Sequence, residues 1–194
     1  MNHFFAYMAR MKYIKRWGLM KNTQEENIQE HSLQVAMIAH ALAVIKNTLF
    51  GGCADANRVA VMAMYHEAGE VLTGDLPTPI KYYNADIKDS YKKIEAVAEQ
   101  QIFSMLPQEL QPAYRPYLLQ ETDAGERSIV KAADKICAYL KCVEETSAGN
   151  KEFEIAKKTL LASVTENAAP ETIYFMEHFV PSFSLTLDEM GTVL

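Results

Sequence analysis

Four side chains of this chain have the chemistry of a metal centre: His31, the adjacent His66 and Glu67, and Asp134. Imidazole and carboxylate together suit Mn, Fe, Co, Ni or Zn rather than calcium. The gaps between them are too long for a finger or a single binding loop. Such a set converges only if three helices pack around one point. His66, Glu67 and Glu70 are expected on one helix, where His66 and Glu70 share a face and Glu67 lies about 100° round. The stretch from Val59 to Tyr65 is apolar, so two acids and an imidazole at its end are costly unless they pair or hold a cation. A solvated helix end carrying ordinary surface acids is the plain alternative. Asp134 stands among Ala132, Ala133, Ile136, Cys137 and Ala138, a setting in which a carboxylate needs a partner. Lys131 and Lys135 flank it.

An anionic ligand would need a cation, and Arg16 is the first choice, with the sole tryptophan, Trp17, beside it. A guanidinium matches phosphate oxygens with a planar fork, and an indole covers a sugar or base. Lys81 is a second cation of the same kind. The plain reading is an arginine at a helix end and an aromatic core anchor. His40 lies half a helical revolution from His31 and is expected in the core or behind the site. His3 and His178 have no partner at ligand spacing. Gly51-Gly52 has no Lys-Ser/Thr behind it, so there is no phosphate-binding glycine loop, and no G-x-S-x-G occurs.

The elements that must position these residues read as helices throughout, with no convincing period-two alternation. A first helix is expected over Asn2 to Arg16, with Phe4, Met8, Met11 and Ile14 as its apolar stripe. The second begins at Asn27, which caps it while Glu30 reaches back. From Leu33 to Ile45 it is apolar almost all round, so it is expected to be central and buried. A third helix follows Asp55 and runs to Leu72, where Gly74 stops it. The segment from Gly74 to Pro79 is expected to be non-helical because of its two prolines. Further helices are expected over Asp86–Leu106, in short pieces between Pro112 and Pro116, and over Gly125–Ser147, Phe153–Asn167 and Glu171–Phe179. The fold class is all-α, a single domain over residues 1–194 built as a compact bundle of seven or eight helices.

Composition sets the outer limits. The chain has 194 residues, 49% apolar and 23% charged, which is ordinary for a globular protein. A net charge of −6 argues against a nucleic-acid polymer as partner. The three cysteines, Cys53, Cys137 and Cys142, form neither a C-x-x-C nor an even set, so a reducing cytoplasm is expected. Basic residues interrupt the N-terminal segment, and the stretch from Val35 to Ile45 is too short to span a bilayer, so no membrane role is expected.

Assembled, these residues resemble the HD-domain superfamily, and specifically bacterial 5'-deoxynucleotidases of the YfbR type. The resemblance rests on Arg16-Trp17, Glu30-His31-Ser32-Leu33-Gln34, Tyr65-His66, the string from Glu70 through Thr73-Gly74-Asp75-Leu76-Pro77-Thr78-Pro79, Ala133-Asp134, Cys137 to Lys141, and Phe179 to Phe183. It implies an HD-domain bundle in which His31, His66, residue 67 and Asp134 bind one divalent transition metal. Glu70 is then the catalytic carboxylate and Arg16 the phosphate holder. Trp17, Asp75 and Thr78 line the nucleotide site and help select deoxyribose. It further implies a cytoplasmic homodimer acting on deoxynucleoside 5'-monophosphates. Position 67 departs from the family pattern, which has aspartate there; glutamate carries its carboxylate about one C–C bond, 1.5 Å, further out. The readings left open are an impaired nucleotide-binding protein and an HD hydrolase acting on another phosphate ester.

Overall fold

The structure is a computed structural model that describes residues 1–81 and 83–191; the Thr78 side chain, Tyr82 and residues 192–194 lie outside the described residues. The helices are α1 (Phe4–Met8), α2 (Ile28–Leu49), α3 (Ala56–Tyr65), α4 (Glu70–Thr73), α5 (Thr78–Lys81), α6 (Ala85–Ser104), α7 (Gln111–Leu118), α8 (Ala124–Ser147), α9 (Glu154–Thr165) and α10 (Pro170–His178). Seven of them have eight residues or more, as the all-α bundle requires. The described residues hold no strand, only an isolated antiparallel bridge between Lys15 and Asn27.

Helix starts follow the capping chemistry of the sequence. The Asn27 side chain accepts the N–H groups of Gln29 and Glu30 at 3.0 Å each, and the Glu30 carboxylate accepts the Asn27 N–H at 3.4 Å. Asp55 caps α3 through the Arg58 N–H at 3.0 Å, and Asn84 caps α6 through the Ile87 N–H at 2.8 Å. Each such cap contributes about 1 kcal/mol. The main core is the seam of α2, α3 and α8, where Val35, Ala39, Leu42, Val59, Met62, Ala133 and Ile136 are buried, closed by Val164 of α9 and Phe175 of α10. A smaller cluster joins Phe4, Ala68, Ile102, Phe103, Leu106 and Leu118. Residues 66–69 run between the two.

Several elements differ from the sequence-based expectation, each for a physical reason. The N-terminal segment breaks after Met8 into a 3-10 turn at Met11–Tyr13, and Arg16 and Trp17 sit in a loop. Phe4 and Met11 are still buried, so the apolar stripe closes onto its own chain. Helix α3 stops at Tyr65 rather than Leu72: beyond it the bonds tighten to i→i+3, with Ala68 N–H to Tyr65 O at 2.9 Å and Glu70 N–H to Glu67 O at 3.0 Å. Thr78–Lys81 is helical after all, because proline fits the first turn of a helix. Gly74 ends α4 with φ of 72°, a conformation that side chains resist. Gly69 serves close approach instead: a Cβ there would lie 3.3 Å from Glu99 Cγ on α6.

Helix α2 is buried on one side only. Its outer face exposes Leu33 (55%), Met37 (59%), Val44 (41%) and also His40, which is therefore not a core histidine. By length and composition α2 could cross a membrane, but its inner face is the core of the bundle.

Candidate metal centre

His31 lies in the opening turns of α2, and its ring is buried against the seam with α8. Asp134 projects from the middle of α8, one position after Ala133, which is fully buried. His66 caps the end of α3, and Glu67 follows in the tightened turn. The expected single helix is thus interrupted after Tyr65, and the side chains of both residues approach His31.

The distances are those of a convergent set. His31 Nε2 lies 3.0 Å from Asp134 Oδ1 and 3.5 Å from Glu67 Oε1, and His66 Nε2 lies 3.9 Å from the same Glu67 oxygen. One ligand atom from each of the four residues falls within 4.8 Å of all the others. That spread is slightly wider than twice a metal–ligand distance of about 2.1 Å. The partner of Asp134 is thus His31; Lys135 instead reaches the Ser163 carbonyl.

Several features fit a cation. His66 Nδ1 is 2.7 Å from the Ala63 carbonyl, which fixes the proton there and turns the Nε2 lone pair inward. His66 Nε2 and Glu67 Oε2 are buried and have no hydrogen-bond partner among the described residues, and the same holds for Glu70 Oε2. Burial opposes ionisation of Asp134, yet the His31 contact and the nearby His66 and Arg16 hold its carboxyl below the usual carboxylate range. Glu70 goes the other way. Burial, with Glu67 and Asp75 adding repulsion, pushes it up to about 9. Asp75 is likewise raised by burial, although Arg16 and the Trp17 backbone N–H pull against the shift.

Arg16 bonds Glu67 through Nη1 and Glu26 through Nε, the latter at 3.0 Å. Its guanidinium therefore sits at the rim of the metal set, held by burial among acids that keep it charged. Trp17 donates its indole N–H to the same Glu26 oxygen at 3.2 Å, and its ring leans on Phe153, 5.4 Å away. Lys81 is bonded to Glu95 at 2.8 Å. The Thr78 side chain lies outside the described residues. Sequence reasoning missed Glu26 and Phe153. Glu26 follows Glu25 in a loop without periodicity and is ten residues from Arg16, so no local pattern points to it.

Known proteins similar to this chain show its family and fold. The family model described as 5'-deoxynucleotidase YfbR-like matches residues 3–183. A 5'-deoxynucleotidase of Vibrio vulnificus is 60% identical over 191 residues, covering 98% of each chain. The 5'-deoxynucleotidase YfbR of Escherichia coli O1:K1 is 55% identical, covering 98% of this chain and 96% of its own. Among solved structures, an HD-domain phosphohydrolase from Listeria innocua superposes with a TM-score of 0.81 at 24% identity, covering 93% of this chain and 88% of its own. The cyanophage S-2L HD phosphohydrolase DatZ, bound to dA and one catalytic Zn2+ ion, superposes with a TM-score of 0.66 at 18% identity, covering 91% of this chain and 96% of its own. Both superpositions give the HD phosphohydrolase fold. With residues 3–183 matched and relatives this close along nearly their whole length, the chain belongs to the YfbR-like 5'-deoxynucleotidase family.

Proposed function

We propose that this protein is a metal-dependent phosphomonoesterase that removes the 5'-phosphate from deoxynucleoside monophosphates. One observation carries the reading: His31, His66, Glu67 and Asp134 converge within 4.8 Å, with Arg16 bonded to one of them. These four residues would hold one divalent cation of the Co, Mn, Ni, Zn or Fe class. When bound there, such an ion supplies Lewis acidity and acidifies water at neutral pH.

The remaining steps belong to the chain. Arg16 holds the phosphate with its planar fork and orients it for in-line attack. Glu70, buried and poised to carry a proton, moves it between the attacking water and the leaving 5'-oxygen. Trp17 offers an apolar face to the nucleoside, and Asp75 lines the sugar and helps select deoxyribose. Lys81, bonded to Glu95, adds positive potential near Glu70 and Asp75.

One Glu67 oxygen lies 3.5 Å from His31 Nε2 and also bonds Arg16, so the longer side chain still joins the set, which supports a working site over an impaired binder. The same reading makes the protein a cytoplasmic homodimer. The free cysteines Cys53, Cys137 and Cys142 support the compartment. The outward apolar face of α2 supports the pairing, in place of the N-terminal stripe, which is spent on the core. Phosphate release from deoxynucleoside and ribonucleoside monophosphates, across Mn, Co, Ni, Zn and Mg, tests the activity. Hydrolysis of the deoxynucleotides is expected. Nucleotide binding without turnover under every metal would leave only the binding protein standing, and release from diphosphates or cyclic phosphodiesters alone would move the substrate class.

A further inference from the structure

Arg16 and Trp17 are neighbours in sequence, but what joins their side chains is a third residue across a loop. The chain leaves Ile14, runs out through residues 17–25 and returns to Ile28 through a pinned neck. Arg16 N–H donates to Glu26 O at 2.9 Å, Ile28 N–H donates to Ile14 O at 3.0 Å, and Lys15 and Asn27 form the bridge between them. Arg16 and Glu26 therefore face each other as a cross-strand pair, whose side chains meet. One oxygen of Glu26, Oε2, takes both the guanidinium Nε at 3.0 Å and the indole Nε1 at 3.2 Å. Both residues are largely buried, where a charge-assisted bond is stronger than in water. Trp17 adopts φ of 58°, a left-handed conformation that a residue with a Cβ resists. Strain of this kind persists only where the surroundings over-determine it. The far end of the loop is anchored separately: Glu145 accepts the Thr23 N–H at 2.9 Å, the Thr23 hydroxyl at 2.7 Å and Lys141 Nζ at 2.6 Å.

We propose that Glu26 is a positioning residue that fixes the separation between the phosphate-holding Arg16 and the nucleoside-facing Trp17, and so favours nucleoside monophosphates over phosphomonoesters that lack a base. The proposal rests on the functional reading above, which assigns Arg16 to the phosphate and Trp17 to the nucleoside. Glu26 touches neither the reacting atoms nor the metal set. With Nε held by Glu26 and Nη1 by Glu67, the guanidinium is fixed at two points, and the indole N–H is tied to the same Glu26 oxygen. The phosphate and the ring that leans over the sugar or base are thus set by one carboxylate oxygen rather than by two independent anchors.

The test uses Glu26→Gln, which keeps the size and one acceptor but removes the charge. Against dAMP the KM is expected to rise about tenfold, the worth of a charge-assisted bond, with kcat within about threefold of wild type. Against β-glycerophosphate, which has no base, kcat/KM is expected to fall less. Trp17 is the only tryptophan, so emission of the free protein reports its position directly. The variant should show a red-shifted maximum and stronger acrylamide quenching, and Glu26→Asp should recover part of both changes. Trp17→Phe, which deletes the indole donor but keeps a ring and the Arg16 pair, should reproduce the dAMP defect and spare β-glycerophosphate. Unchanged Trp17 emission in Glu26→Gln overturns the positioning, whichever way turnover falls. Equal losses on both substrates overturn the selectivity. A wild-type protein that hydrolyses no deoxynucleotide defeats the phosphatase reading instead, while the emission data still decide the role of Glu26.

Discussion

Glu67 does two things with one side chain: it brings an oxygen to 3.5 Å from the His31 imidazole and it bonds Arg16. Replacing it with glutamine keeps the shape but removes a negative charge from the metal set. Glu67→Gln is therefore expected to lose most of its bound transition metal on gel filtration, measured by elemental analysis. Glu70 should behave in the opposite way. Its carboxyl is buried beside the set, and its Oε2 has no hydrogen-bond partner among the described residues. Glu70→Gln is expected to keep its metal and to lose turnover of dAMP by at least about 100-fold, the usual worth of a general acid or base. Metal loss in that variant would make Glu70 a ligand, and near-normal phosphate release would remove it from the chemistry.

At the scale of elements, the site depends on how α3, α6 and α8 are held. Glu145 and Lys141 form a buried pair on α8, and Glu145 also carries the loop from Thr23 to Gln24. Glu145→Ala strands the Lys141 charge, so a loss of about 3–5 kcal/mol is expected in urea unfolding. Helix α6 meets the 66–69 turn through Glu99, pushed up to about 7 by burial and by Glu95. The native carboxyl binds its proton more tightly than the unfolded one. The stability it contributes is complete below the unfolded value of 4.5 and lost as pH rises through about 7. Glu99→Gln should therefore melt about 2 °C above wild type at pH 8 and level with it at pH 4.5. Much of this scale was legible in the sequence. The capping box at Asn27, the start of α3 at Asp55 and the helix carrying Asp134 all follow from local chemistry. The break at Tyr65 was not, because a tightened turn keeps nearly the same residue spacing as a helix. Nor was the end of the first helix, since the stripe of Phe4, Met8 and Met11 continues across the change to a 3-10 turn. The pairing of Arg16 with Glu26 is set by the loop neck, and no periodicity encodes a loop neck.

The whole molecule concentrates acids at one point: Glu26, Glu67, Glu70, Asp75 and Asp134 act on one arginine. A cation relieves that field, so stripping it with a chelator and restoring Zn or Mn should move the melting temperature. At about 100 times the dissociation constant the gain is about 2.7 kcal/mol, a rise of several degrees. The outward face of α2 makes its own prediction. Leu33, Met37 and Val44 lie at spacings of four and seven residues along one stripe. For the homodimer proposed above, Met37→Glu should give a monomer in light scattering with the fold retained by circular dichroism. A stripe of this kind could not be told from a buried face in the sequence, because from Leu33 to Ile45 apolar residues occupy almost the whole circumference of α2. The same helix has a consequence during synthesis. Its covering partner α8 begins some 75 residues after α2 ends, so at ordinary elongation rates an exposed apolar rod waits on the order of 5–15 s at the ribosome, screened by α3 and the Met11–Tyr13 turn. Nascent-chain crosslinking should find it in the hands of a chaperone over that interval, released once Ser147 has emerged.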